Sequence, residues 1–264
     1  MNLNKAISTA EKSNRNGIGT CVSFLPIEKS SPRRIREDVL EYSSVLKIIH
    51  NRGLKSEVTV KLHQLGVLDN QQLARQATEK IVECAKVNNS FVWIDMERPS
   101  TVDITIDIFN ELHARFGNVG ICLQTYLKRT TEDAKKLLVK HVPIRLVKGF
   151  YLEHDINDWH DVTKQFGELM ELVMQESSRP CIATHDLTLI EKAKTLIRKN
   201  NFQHAEFQFF NGVRDKIALE LAKEGFNVRI YIPYGDIFRY LLKGLPTFDN
   251  FRHIQRLLRF REII

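Results

Sequence analysis

The chain has 264 residues, 43% hydrophobic and 27% charged, and a formal net charge of +7, the make-up of an ordinary globular protein. No run approaches the ~20 consecutive apolar residues of a membrane span, and Met1–Asn16 has no apolar stretch of the secretory type, so the expected location is cytoplasmic. The basic residues are scattered until the tail and never alternate with aromatics, so no nucleic-acid partner is expected.

Residues 1–17 read as an N-terminal helix. The first strand-like run is Gly19–Phe24, and a helix follows from Pro32 to about Arg52, capped by Ser30 or Ser31. Glu57–Leu62 is the second strand, before a helix over about Asn70–Val87. Ser90–Asp95 is the third, before a helix over about Thr101–Phe116. Val119–Gln124 is the fourth, before a helix from Thr130 or Thr131 to about Lys140. Pro143–Val147 is the fifth; the longest insertion, Glu153–Asp161, separates it from a helix ending near Ser177. Pro180–Thr184, a helix to about Lys199, Ala205–Gln208, a helix to Gly225 and Asn227–Tyr231 complete the series.

Eight strands alternating with helices over short connections predict a parallel sheet covered by helices, and this length suits a single-domain (β/α)8 barrel over residues 18–247. An open doubly wound sheet is the alternative, but no G-x-G-x-x-G follows the first strand. Cys21, Cys84, Cys122 and Cys181 are far apart and form no C-x-x-C pair, so free thiols are expected.

Barrel active sites gather at the C-terminal strand ends. There the chain carries Lys61 and Gln64, Asp95 and Glu97, Gln124, Arg145 and Lys148, Thr184, His185 and Asp186, Gln208 and Asn211, and Tyr231 with Tyr234. Singly, each suits a helix cap or a rim ion pair; together they suggest a site. Cations and amides outnumber carboxylates, and only His63 and His185 lie near strand ends, so a metal site is not expected. Such a mouth suits an anionic cofactor and a carboxylate substrate.

Several of these segments resemble the proline dehydrogenase family, in the family's order. Residues 145–151 read RLVKGFY against its RLVKGAY, 183–186 ATHD, 206–208 EFQ with Gly212 following, and 228–235 VRIYIPYG against VRxYxPYG. The segments 60–66 (VKLHQLG), 94–97 (IDME) and 123–126 (LQTY) also fit. The resemblance spans roughly residues 18–245. It implies a flavoenzyme that moves a hydride from L-proline to N5 of FAD, giving 1-pyrroline-5-carboxylate. By position, Gln124, Arg145, Lys148, Gly149, Phe150, Thr184 and His185 would hold FAD, with a backbone contact from Met96. Arg145 would lie near N5. Asp95 would orient the neighbouring cations, Lys61 would face the substrate carboxylate, and Tyr231 and Tyr240 would line the ring.

The chain departs from the family where the latter has Y-x-x-R-R-x-x-E. Residues 240–247 read YLLKGLPT, so Lys243 and Gly244 replace the paired arginines that clamp the carboxylate, and Thr247 stands in for the bracing Glu. Arginine offers two-point recognition where lysine offers a point charge. The family's LGE after the first strand becomes Leu25-Pro26-Ile27 with Glu28 displaced, and Phe210 replaces an aliphatic pocket residue. A modified cyclic amino acid as substrate, or a barrel that binds FAD without turnover, are the alternatives. The resemblance implies an electron acceptor, a quinone or a ferredoxin, and a downstream enzyme that consumes pyrroline carboxylate. Small stand-alone relatives occur in antibiotic pathways, carbapenem biosynthesis among them, and an altered clamp fits such a role. Residues 248–264 read as a basic amphipathic helix, packed on the barrel or docked through 249–264 on a membrane surface.

Arg239 lies four residues before Lys243 and would share its helical face. Replacement of the lost guanidinium by Arg239 predicts that Arg239→Ala raises the Michaelis constant for proline, measured by steady-state kinetics; an unchanged constant refutes it.

Overall fold

The computed structural model describes residues 1–26, 30–151 and 153–237. Arg239, Tyr240, Lys243, Gly244, Glu28 and the whole of 248–264 lie outside them, so the expected substrate clamp and tail helix do too. Helix α1 (Leu3–Arg15) precedes strand β1 (Gly19–Leu25). Then come α2 (Pro32–Asn51), β2 (Ser56–Lys61), α3 (Gln71–Val87), β3 (Val92–Asp95), α4 (Val102–Phe116) and β4 (Val119–Gln124). The series continues with α5 (Thr130–Leu138), β5 (Ile144–Val147), α6 (Trp159–Glu176), β6 (Pro180–Ala183), α7 (Leu187–Asn200), β7 (Glu206–Phe210), α8 (Asp215–Lys223) and β8 (Asn227–Gly235).

All neighbouring strands pair in parallel and the sheet closes, β8 on β1, into the expected barrel. Helices start at caps visible in the sequence: Ser31 accepts from Arg34 N–H, Asn70 from Leu73 N–H, and Asp186 from Thr188 and Leu189 N–H. Most boundaries fall within about two residues of expectation, and two of the differences have a visible cause. Helix α6 begins at Trp159, inside the presumed insertion, because the Asp158 side chain caps it. Strand β8 runs on to Gly235, through Pro233, because Gly19–Leu25 of β1 pairs with it over that whole length.

Helices α2–α8 follow β1–β7, and α1 covers the seam where β8 meets β1. Ala6, Ile7 and Ala10 are its buried residues. The Met1 carbonyl accepts from Gly235 N–H at 2.8 Å, and the Asn14 amide near the other end of α1 donates to the Ile18 carbonyl at 2.9 Å. All four cysteines are free. Among the described residues no helix is long and apolar enough to cross a membrane, and no His, Cys, Asp and Glu cluster suits a metal ion.

Strand side chains alternate between two environments. Val58, Val60, Val92, Ile94, Ile121, Leu146, Ile182, Phe207, Val228 and Ile230 join the apolar layer shared with the helices. The opposite parity fills the barrel interior with polar groups. At its floor Arg229 grips Glu206 with two bonds of 2.8 and 2.9 Å, and reaches Glu57 at 3.2 Å. Arg179 joins Glu57 at 2.5 Å, and Trp93 Nε1–H donates to Glu57 at 2.8 Å. The Trp93 ring needs Gly120 beside it, where a Cβ would lie 2.5 Å from the ring.

Burial opposes ionisation of Glu206, but Arg229 and Arg179 overcome it and lower its pKa to about 2. A depressed acid stabilises the fold above its unfolded pKa, and that contribution is lost as pH falls towards 2. Glu206→Gln leaves the two floor arginines with one carboxylate. It should cost about 3–5 kcal/mol in urea unfolding at neutral pH, and the gap to wild type should shrink as pH falls from 4.5 towards 2.

Candidate active site

Lys61 and Asp95 end β2 and β3 and are register partners. The Lys61 ammonium donates to Asp95 Oδ2 and meets the Tyr231 hydroxyl at 3.0 Å. Tyr231 donates to the same Asp95 oxygen at 3.3 Å. The other oxygen, Oδ1, accepts from Arg145 Nη1 at 3.1 Å. Asp95 therefore bridges two cations that belong to non-adjacent strands. Lys61 and Arg145 are 3% and 2% exposed, so the pairs sit where water hardly screens them.

Arg145 does not reach the rim. It is the second residue of β5, and its guanidinium lies within the barrel. Thr59 Oγ1 accepts from Nη1 and Nη2 at 3.3 Å, Cys21 Sγ lies 3.5 Å from Nη2, and the Trp93 ring stacks at 4.6 Å. Burial pushes the Cys21 and Cys122 thiols up, the latter to about 12, so neither is a nucleophile at neutral pH.

Next to this cluster, Gln124 at the end of β4 donates Nε2–H to the Met96 and Glu97 carbonyls at 2.5 and 2.8 Å. The expected Met96 backbone position is thus beside Gln124, with its carbonyl taken by Gln124. Gln124 Oε1 is buried and has no hydrogen-bond partner among the described residues. Such an atom is rare in a folded chain and suits a ligand donor.

After β5 the loop 148–151 wraps over Tyr126. The Lys148 carbonyl accepts from Tyr126 N–H at 2.9 Å, and Tyr151 N–H meets the Tyr126 hydroxyl at 3.2 Å. Gly149 has φ +131°, and a Cβ there would lie 2.5 Å from the Tyr126 ring, so only glycine fits. The Lys148 ammonium turns to Asp186 at 2.7 Å and Thr163 at 2.8 Å. Phe150 is exposed. Thr184 is buried and accepts from Asp186 N–H at 3.2 Å.

His185 stands apart from the Asp95 cluster and accepts from Phe210 N–H through Nε2 at 3.0 Å. Phe210, at the end of β7, is exposed and stands 4.8 Å from the Tyr231 ring. Thr59, Cys21 and Trp93 were not expected in the site; strand parity with Lys61 and Asp95 was the signal for Thr59 and Trp93. Glu97 and Tyr151 were quoted within the motifs but given no role. The Glu97 carboxylate is buried and accepts from His63 N–H at 2.7 Å and from the Tyr151 hydroxyl at 3.1 Å.

The family model described as proline dehydrogenase matches residues 6–243. The chain is 30% identical over 249 residues to proline dehydrogenase 1 of Bacillus subtilis (strain 168), covering 92% of this chain and 82% of that one. It is also 30% identical over 254 residues to the proline dehydrogenase of Deinococcus radiodurans, with the same coverage of 92% and 82%. Among solved structures, proline utilization A (PutA) of Bdellovibrio bacteriovorus inactivated by N-propargylglycine superposes with a TM-score of 0.82 at 18% identity, over 92% of this chain. This chain spans 31% of that longer protein, and the likeness is one of fold.

Burial, with a smaller push from Arg214, lowers the His185 pKa from 6.5 to about 4. His185 is therefore neutral in the fold, and its contribution is present above 6.5 and lost as pH falls towards 4. Replacing His185 by Gln should flatten the fall in thermal midpoint between pH 6.5 and 4, removing about one proton of linkage.

Proposed function

Because the chain belongs to the proline dehydrogenase family of oxidoreductases, we propose that it oxidises L-proline to 1-pyrroline-5-carboxylate with FAD as cofactor. The observation that carries this reading is the buried Lys61–Asp95–Arg145–Tyr231 cluster. Within it Lys61 and Tyr231 offer a cation and an aromatic ring, groups that recognise a carboxylate and an apolar ring. Lys61 Nζ faces that carboxylate, and Tyr231 presents its ring to the apolar ring carbons. Asp95 orients both cations.

The residues present fit the cofactor. Gln124 Oε1 is a buried acceptor with no hydrogen-bond partner among the described residues, and Lys148 adds a cation, paired with Asp186. Gln124, Lys148, Gly149, Phe150, Thr184 and His185 would hold FAD, with Met96 alongside. When bound, FAD supplies the acceptor for the hydride lost from the ring carbon beside nitrogen. Arg145 is a fixed cation in the low-dielectric interior and favours the gain of negative charge nearby. A protonated amine has no lone pair to expel hydride, so the rate should rise with pH.

Turnover would need an electron acceptor, a quinone or a ferredoxin, and an enzyme that consumes the product; Lys243 and Gly244 in place of the paired arginines favour a specialised biosynthetic role of the carbapenem type. The basic sequence of residues 249–264 favours contact with an anionic membrane. Phe210 favours a second reading, oxidation of a modified cyclic amino acid, because its exposed ring stands 4.8 Å from Tyr231 and reshapes that wall.

Purified protein titrated with FAD should take on a flavin spectrum, and anaerobic L-proline should bleach it. Lys61→Ala should keep the spectrum and raise the Michaelis constant for proline about tenfold or more, as expected for a lost charge-assisted bond. Protein that stays colourless with FAD sinks the proposal; coloured protein bleached only by a substituted proline selects the second reading.

A further inference from the structure

Glu97 is a buried carboxylate at the barrel mouth that takes no part in the Asp95 cluster. Burying a carboxyl there is unfavourable. Burial pushes its pKa above the usual carboxylate range, against the pull of Lys61 and the His63 N–H. A well-packed apolar side chain would serve stability at least as well, so the carboxylate needs another reason to be there.

Its bonds suggest that reason. Glu97 follows β3, His63 follows β2 and Tyr151 follows β5, so one side chain joins three separate loops. Gln124 fixes the backbone of Met96 and Glu97 from β4. On the other side, Tyr151 closes the segment that begins at Lys148. Other ties of that segment run to Tyr126, Asp186 and Thr163. Glu97 is thus a direct link between this segment and the strands that carry Lys61 and Asp95.

We propose that Glu97 is a positioning residue for the cofactor: through Tyr151 it clamps the Lys148–Gly149–Phe150 segment to the ends of β2 and β3. This rests on the FAD reading given above. The clamp acts on where the loop stands, before any substrate arrives. Glutamine at position 97 can keep both links, since its amide oxygen accepts from one donor and its NH2 donates to the Tyr151 oxygen. Leucine keeps neither, and Tyr151→Phe removes one hydroxyl.

The test is the FAD dissociation constant, read by quenching of flavin fluorescence, with the thermal midpoint of each apoprotein as a check on folding. Tyr151→Phe and Glu97→Leu should each weaken FAD about tenfold, the worth of one hydrogen bond to a charged acceptor. The double variant should bind no worse than Glu97→Leu alone, because Tyr151→Phe removes a link that Glu97→Leu has already broken. Glu97→Gln should stay within about twofold of wild type. Tyr151→Phe binding FAD like wild type overturns the clamp, as do additive losses in the double variant or a Glu97→Gln as weak as Glu97→Leu. Tyr151→Phe, the smaller change, decides the matter if Glu97→Leu does not fold. Wild-type protein that takes up no FAD overturns the functional reading and the clamp with it; wild-type binding with unchanged variants overturns the clamp alone.

Discussion

The carboxylate of Asp95 holds two buried cations together in the upper barrel. Lys61 and Arg145 come from strands that are not neighbours, and both are nearly sealed from water. Left alone they would repel each other and pay the cost of desolvation. Asp95 gives one oxygen to each. Thr59 and the Trp93 ring hold the guanidinium from below, and Tyr231 shares the oxygen given to Lys61.

The barrel interior thus carries charge on two levels that do different work. On the floor, Glu57 and Glu206 balance Arg179 and Arg229, so that level is neutral and closed. The upper level, with Lys61, Asp95 and Arg145 and with Glu97 beside them, lies at the strand ends that form the mouth. Trp93 separates the two, bonded to Glu57 through its indole N–H and stacked under Arg145.

An interior this polar is tolerable because its charges are paired and an apolar layer surrounds it. The outward strand residues bury their aliphatic groups against the helices, and α1 closes the seam between β8 and β1. That division of labour is the usual one in a (β/α)8 fold, where chemistry is placed on strand ends and loops over a rigid scaffold.

Read alone, the amino-acid sequence determined the order of elements, the barrel and the residues at strand ends, because strand alternation, helix caps and breaks are local properties of the chain. Val119–Gln124 was legible to the residue. Pro233 hid the last part of β8, since proline in a strand usually marks its edge, and only pairing with β1 carried the strand through it. The depth of Arg145, the turn of Lys148 towards Asp186 and the meeting of Glu97 with Tyr151 were settled by tertiary structure. They depend on which side chains closure of the barrel brings together from distant strands, and on how buried charges then divide their partners. Neither is written in the spacing of residues along the chain.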